Sequence, residues 1–124
     1  RLRCLMAGRV AEEIALGSIT SGASGDIQEA TRIARQMVFE WGMSPLGFMA
    51  LTQSEGEAKL ASPQTLHDAE QYVKTILVEN YDATTRMVAG ARAALDAIAR
   101  DLIEHETISG DNVRQTIGAM ARAA

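Results

Sequence analysis

The chain has 124 residues and is poor in cysteine, proline and aromatic side chains, and each shortage narrows what it can be. Its single cysteine, Cys4, excludes an intramolecular disulfide and makes a reducing compartment the default. A catalytic thiol needs a basic partner, and no histidine stands near Cys4 in sequence, so Cys4 reads as a small core residue. Aromatics make up 4% of the chain, so the core must be assembled from Ala, Leu, Ile, Val and six Met. That mixture favours close-packed helices over a sheet. No apolar run approaches the ~20 residues of a membrane span, and no signal peptide is visible. Ten Arg and two Lys are scattered among sixteen acids, giving a net charge of −4 and no basic patch, which argues against a nucleic-acid partner. The length fits one helical domain, 1–124, large enough to bury a core.

What is present is helical periodicity. Residues 2–16 are apolar almost all the way round, with Leu5, Met6, Val10, Ile14 and Leu16 among the small Ala7, Gly8, Ala11 and Ala15. Such a helix packs on more than one side, so some of it is expected to remain exposed in this chain alone. Arg9 and Glu13 stand one turn apart, the spacing of an ion pair. Residues 17–23 read as a loop, and Ser24 is placed to cap the helix that follows. Wound at about 100° per residue, that helix carries Ile27, Ala30, Ala34, Val38 and Trp41 on one stripe, widened by Ile33 and Met37. Gln28, Arg32, Arg35 and Gln36 fall opposite, and Phe39 lies among them, either as an exposed side chain or as a contact to the third long helix or a neighbouring subunit. Gly42 suits a left-handed cap at the end.

Asp26 sits in the first turn of the same helix, behind the Ser/Gly/Ala loop and on the side of Ile33 and Met37. By pattern alone it is first an acid that complements the helix dipole. A carboxylate turned toward apolar packing nevertheless needs a partner: backbone N–H groups, a cation or a metal. The glycine-rich loop does not make a phosphate cradle, since it has no Walker lysine and Asp26 would repel a phosphate there.

Residues 43–61 read as a loop with a short extended piece at 47–51 and a polar stretch at 54–59. Ser62 then caps a long helix, with Pro63 at its first position and Leu66, Ala69, Val73, Leu77, Thr84 and Val88 on its stripe. Gly90 marks a break, and Leu95, Ile98 and Leu102 the next helix. Ser109 caps the last one, with Ile108 and Val113 as a hydrophobic staple and Ile117 and Met120 continuing the face. The expected fold is all-α, a bundle of four to five helices.

The segments also resemble a known family. GRVAEEIALG at 8–17 and TSGASGDIQEATRIARQMVFEWGMSPLG at 20–47 are similar to the peptidase domain of FtsH-type ATP-dependent zinc proteases. LVENYDAT at 77–84 and HETISGDNV at 105–113 fit the C-terminal helices of that domain. The resemblance implies that Asp26 is the third protein ligand of a catalytic zinc. In the family the other two ligands and the general base come from an HExxH helix, which this chain lacks; its two histidines, His67 and His105, read as surface side chains. The chain opens inside a helix, so the HExxH helix, the ATPase module and the membrane anchor of the family are expected upstream of Arg1. The implied parent is a membrane-anchored, hexameric, ATP-dependent metalloendopeptidase with a cytoplasmic-type peptidase domain that degrades unfolded or membrane proteins. The chain itself is then expected to be soluble, without bound zinc, and inactive alone. Two alternatives stand beside this reading: a non-catalytic helical assembly module, and an inactive homologue without HExxH.

Overall fold

The protein is described by a computed structural model covering residues 1–47, 49–51 and 61–123. Five α-helices and one 3-10 turn make up its regular structure, with no strand among the described residues. In order these are α1 (Leu2–Leu16), the 3-10 turn (Ser21–Ala23), α2 (Ser24–Phe39), α3 (Pro63–Gly90), α4 (Arg92–His105) and α5 (Gly110–Ala123). The all-α expectation holds. The polar stretch at 54–59 lies outside the described residues, and of the piece expected to be extended at 47–51 the described residues, 47 and 49–51, form no strand. Contacts divide the chain into two compact units, 1–84 and 85–124, with the boundary inside α3.

The first unit is built on alanine. Ala30 and Ala34 on α2 and Ala69 on α3 are completely buried, and side chains this small let helix axes approach closely. Ala34, Val38 and Phe39 pack with Leu51, Ala61, Ala69 and Val73. Leu2 and Met6 of α1 pack with Ala30 and Ile33 of α2, and Met37, Ile76 and Leu77 lean against them. The stripe expected on α2 is therefore the buried one as far as Val38.

Beyond Val38 the order of the two large aromatics is reversed. Phe39 is buried and Trp41 is 56% exposed. The helix ends at Phe39, so extrapolating its winding to Trp41 fails. Trp41 N–H and Met43 N–H turn back to the carbonyls of Gln36 and Met37, through Gly42 in the left-handed region at φ 63°. The returning chain brings in Leu51, whose N–H donates to the Phe39 carbonyl at 2.6 Å and whose side chain belongs to the same buried cluster. Arg35 covers another side, its guanidinium carbon 4.8 Å from the ring centroid, while its charge pairs with Glu70 of α3.

α1 buries one face only. Leu2, Met6 and Val10, four residues apart, are its buried residues, and Leu16 is two-thirds exposed. Cys4 is exposed, contrary to its reading as a core residue. It stands about 200° around the helix from both Leu2 and Met6, on the far side from the contact with α2. Arg9 and Glu13 form no ion pair with each other among the described residues. Both instead reach Tyr81 of α3, whose phenol donates to Glu13 Oε2. That hydrogen bond to a carboxylate, aided by partial burial and opposed by Arg9, raises the Tyr81 pKa above its usual value near 10.

Helix ends follow the sequence except at α2. Ser62 Oγ accepts from Thr65 N–H at 3.1 Å ahead of Pro63, and Ser109 Oγ from Asn112 N–H at 3.1 Å. In the second unit Gly90 closes α3, Ala94 is the buried residue of α4, and α5 has no buried residue. Ile108 and Val113 are both half-buried, as a staple at the start of α5 would have them.

Two measurements check this packing. Phe39→Ala should lower unfolding free energy by about 3 kcal/mol, whereas Trp41→Ala should change it by no more than about 0.5 kcal/mol. Denaturant titration gives both values. Because the folded-state pKa of Tyr81 is raised, its contribution is complete below about pH 10 and is lost as pH rises through the higher folded value. Stability should therefore fall more steeply above pH 10 in the parent protein than in Tyr81→Phe, with equal slopes counting against the Glu13 hydrogen bond.

Candidate metal-ligand site

The position of Asp26 is prepared by α1 and by the loop, residues 17–23, that leads into the first turn of α2. α1 stops at Gly17, which takes φ 63° and returns its N–H to the Glu13 carbonyl at 3.1 Å. A side chain there would be strained, so glycine fixes where the chain leaves the helix. Three residues later Thr20 takes an extended conformation and its Oγ1 accepts from Gly22 N–H at 3.2 Å. The same hydroxyl lies 3.0 Å from both carboxylate oxygens of Glu12 on α1.

Ser24 is not the cap that its position suggested. It is the first residue of α2, its N–H bonded to the Ser21 carbonyl, and Ala23 before it offers no side-chain cap. The 3-10 turn runs directly into the α-helix, so capping moves back to Thr20, at the head of the turn.

Asp26 thus occupies the first turn of α2, as expected, and it faces α1, the side of Ile33 and Met37. Its burial differs from the expectation: Asp26 is exposed, not enclosed by apolar packing. The residue opposite explains this. A Cβ added to Gly8 of α1 would sit 3.9 Å from Asp26 Oδ2, so the absence of a side chain at Gly8 leaves the space in front of the carboxylate open. The carboxylate has no hydrogen bond or ion pair among the described residues.

A metal bound here would find one oxygen donor of suitable chemistry, at a helix end, with room before it. No group of three or more His, Cys, Asp or Glu side chains able to hold a metal occurs among the described residues. His67 and His105 are both exposed, and His105 Nδ1 lies 3.1 Å from the Asp101 carbonyl of its own helix. Both are the surface side chains they were read as. The residues present therefore fit zinc as one ligand of several. An open groove of about 510 Å³ runs between α1, α2 and α3, lined by Met6, Ile27, Ala30 and Leu77 with Arg9, Glu13 and Tyr81 among its polar groups. Asp26 does not line it.

Sequence reasoning singled out Asp26 but gave no part to Glu12, Thr20 or Gly8. The signal for Gly8 and Glu12 was their one-turn spacing on α1, which puts them on the same side of that helix. The signal for Thr20 was a hydroxyl two residues before a glycine, the pattern of a hydroxyl-capped turn.

Known proteins carry the same segments. A family model described as Peptidase family M41 matches residues 1–116. An ATP-dependent zinc metalloprotease FtsH of Opitutus terrae is 71% identical over 115 residues, covering 93% of this chain and 19% of its own length. Proteins of the same name from Nitrosococcus oceani and Rubrobacter xylanophilus are 38% and 33% identical, covering 88% and 94% of this chain. The chain spans about a fifth of the length of the curated relatives it matches. With the match running from α1 through the first half of α5, and so across the Asp26 loop and into every helix, the chain belongs to peptidase family M41.

Proposed function

We propose that residues 1–124 form one helical part of the peptidase domain of an ATP-dependent zinc metalloendopeptidase, and that Asp26 supplies an oxygen ligand to its zinc. The observation that carries this reading is the exposed, unpartnered carboxylate of Asp26, held at a helix start across from a residue with no side chain. A carboxylate in that position accepts a cation without first giving up another partner. The relatives' printed names supply the metal and the ATP dependence.

Zinc, where bound, supplies Lewis acidity and a water of lowered pKa for peptide hydrolysis. This chain's own residues have a narrower part. Asp26 holds one coordination position, and Gly8 keeps the approach to it open. The remaining ligands and the base belong to residues other than those described, an HExxH helix by the resemblance. The ATP-driven module, a membrane anchor, a hexameric ring and unfolded or membrane-protein substrates belong to the same proposal. None of the helices described is long and apolar enough to cross a membrane.

A second reading has its own support. In the unit 85–124 Met87, Ile103, Ile117 and Met120 are exposed, Ile103 by 84%, and α5 buries none of its residues. A helical assembly role for this unit, with or without catalysis, would cover that surface.

Asp26→Asn separates the two readings in the full-length protein. The variant should keep its circular dichroism and melting temperature while bound zinc, by metal analysis, and cleavage of an unfolded protein both fall by at least about tenfold, since a carboxylate ligand is lost. Wild-type zinc content with full activity would remove Asp26 from the metal site and leave the assembly reading.

A further inference from the structure

Around Thr20 three polar groups from two segments converge. Its hydroxyl has one hydrogen to give and lone pairs to accept with. Glu12, a carboxylate, can only accept, and both its oxygens lie 3.0 Å from Thr20 Oγ1. Gly22 N–H, a donor, lies 3.2 Å from the same oxygen. The hydrogen therefore goes to Glu12 and a lone pair to Gly22. The backbone N–H of Thr20 also points to Glu12 Oε2, at 3.5 Å.

The junction is tight at its centre. A Cβ on Gly22 would lie 3.3 Å from Thr20 Oγ1, closer than most packing contacts, and 3.4 Å from Glu12 Oε1, at the edge of ordinary contact. The 3-10 turn it anchors continues into α2 without an intervening residue. Fixing Thr20 to α1 therefore fixes the first turn of α2, and with it the direction of Asp26. Glu12 lies one turn along α1 from Gly8, the residue that Asp26 faces. One side of α1 thus both anchors the loop and leaves the opening that Asp26 looks into.

We infer that Glu12 and Thr20 form a latch that holds the Asp26 carboxylate in ligating position, so that both are positioning residues for the metal. This rests on the zinc-ligand reading of Asp26. The latch acts through one hydroxyl: Thr20→Val, which keeps the shape of the side chain, opens it, and Thr20→Ser, which keeps the hydroxyl, closes it again. Glu12→Ala opens the same latch from the other side.

The test measures zinc affinity by chelator competition in the full-length protein, together with amide hydrogen exchange over residues 20–26. Thr20→Val and Glu12→Ala should each weaken zinc binding about tenfold, the low end of what losing a ligand-orienting partner costs. Exchange in the loop should quicken in both, and Thr20→Ser should restore both readouts. The double variant should be no weaker than either single one, because the two changes break one interaction. Wild-type zinc affinity in Thr20→Val, while Asp26→Asn loses the metal, overturns the latch and leaves the ligand assignment standing. Loss in Glu12→Ala with none in Thr20→Val also overturns it, pointing to Glu12 as a donor in its own right. Retention of zinc by Asp26→Asn overturns the ligand reading and the latch with it. Thr20 is exposed, so its variants should fold, and a melting curve of each confirms that the affinities compare folded proteins.

Discussion

Close approach of α2 to its neighbours is the constraint on which the first unit depends. Ala30, Ala34 and Ala69 have no exposed surface, so a larger side chain at any of them would have to displace its packed neighbours. With so few aromatics, the chain lacks the bulk to fill a wide gap between helices. It closes the gap instead, and Val10 and Val38, its largest fully buried side chains, are correspondingly small. Interiors of this kind respond to single methyl groups, because packing is dense and has little room to relax. The seating of α1 on α2 through Leu2, Met6, Ala30 and Ile33 is what brings Gly8 in front of Asp26. The geometry at the carboxylate is thus a consequence of helix packing further along the same two helices.

Polar contacts then choose among the arrangements that packing allows. Glu12 ties the loop to α1, Tyr81 ties α3 to α1 through Glu13, and Arg35 ties α2 to α3 through Glu70. All three lie at the surface, where such bonds contribute modestly to stability. Their effect is in orientation: each joins two elements at a defined point and so resists rotation of one helix against another. Arg35 also shields the edge of the core by covering the Phe39 ring. That double use explains how Phe39 can be buried from what sequence periodicity makes a polar face.

The legible parts of the fold were those set by local rules. The bounds of α1, the Ser62–Pro63 start of α3, the break at Gly90 and the Ser109 cap all follow from residues within one turn of the feature itself. The failures came where a distant segment decides. Phe39 is buried in a cluster that the returning Leu51 joins, and no periodicity within α2 contains that information. Cys4 was assigned by residue type, whereas its exposure depends on which side of α1 meets α2. Ser24 lost the cap to Thr20 because a 3-10 turn precedes the helix, a distinction that a run of Ser, Gly and Ala does not display. At the site, the first-turn position of Asp26 and its direction toward α1 are legible through periodicity, whereas the ligand role proposed for it comes from the resemblance. Its openness is not legible, since that depends on a glycine eighteen residues earlier that lies opposite it only in the folded chain.

An exposed carboxylate without a partner is inexpensive at this position and would not be so elsewhere. The N–H groups of the first turn of α2 give the helix end a partial positive charge, which stabilises an anion placed there. No lysine or arginine is bonded to Asp26 among the described residues. In the proposed role, a cation reaching Asp26 would have no ion pair to break. Had Asp26 been enclosed by Ile33 and Met37, as the helical winding alone suggested, its charge would have required a permanent partner, and that partner would have competed with any metal. Glycine at position 8 removes the enclosure on one side, and the helix end supplies the compensation on the other. Among the described residues the fold presents the Asp26 carboxylate at this helix end directed toward Gly8 and without a bonded partner.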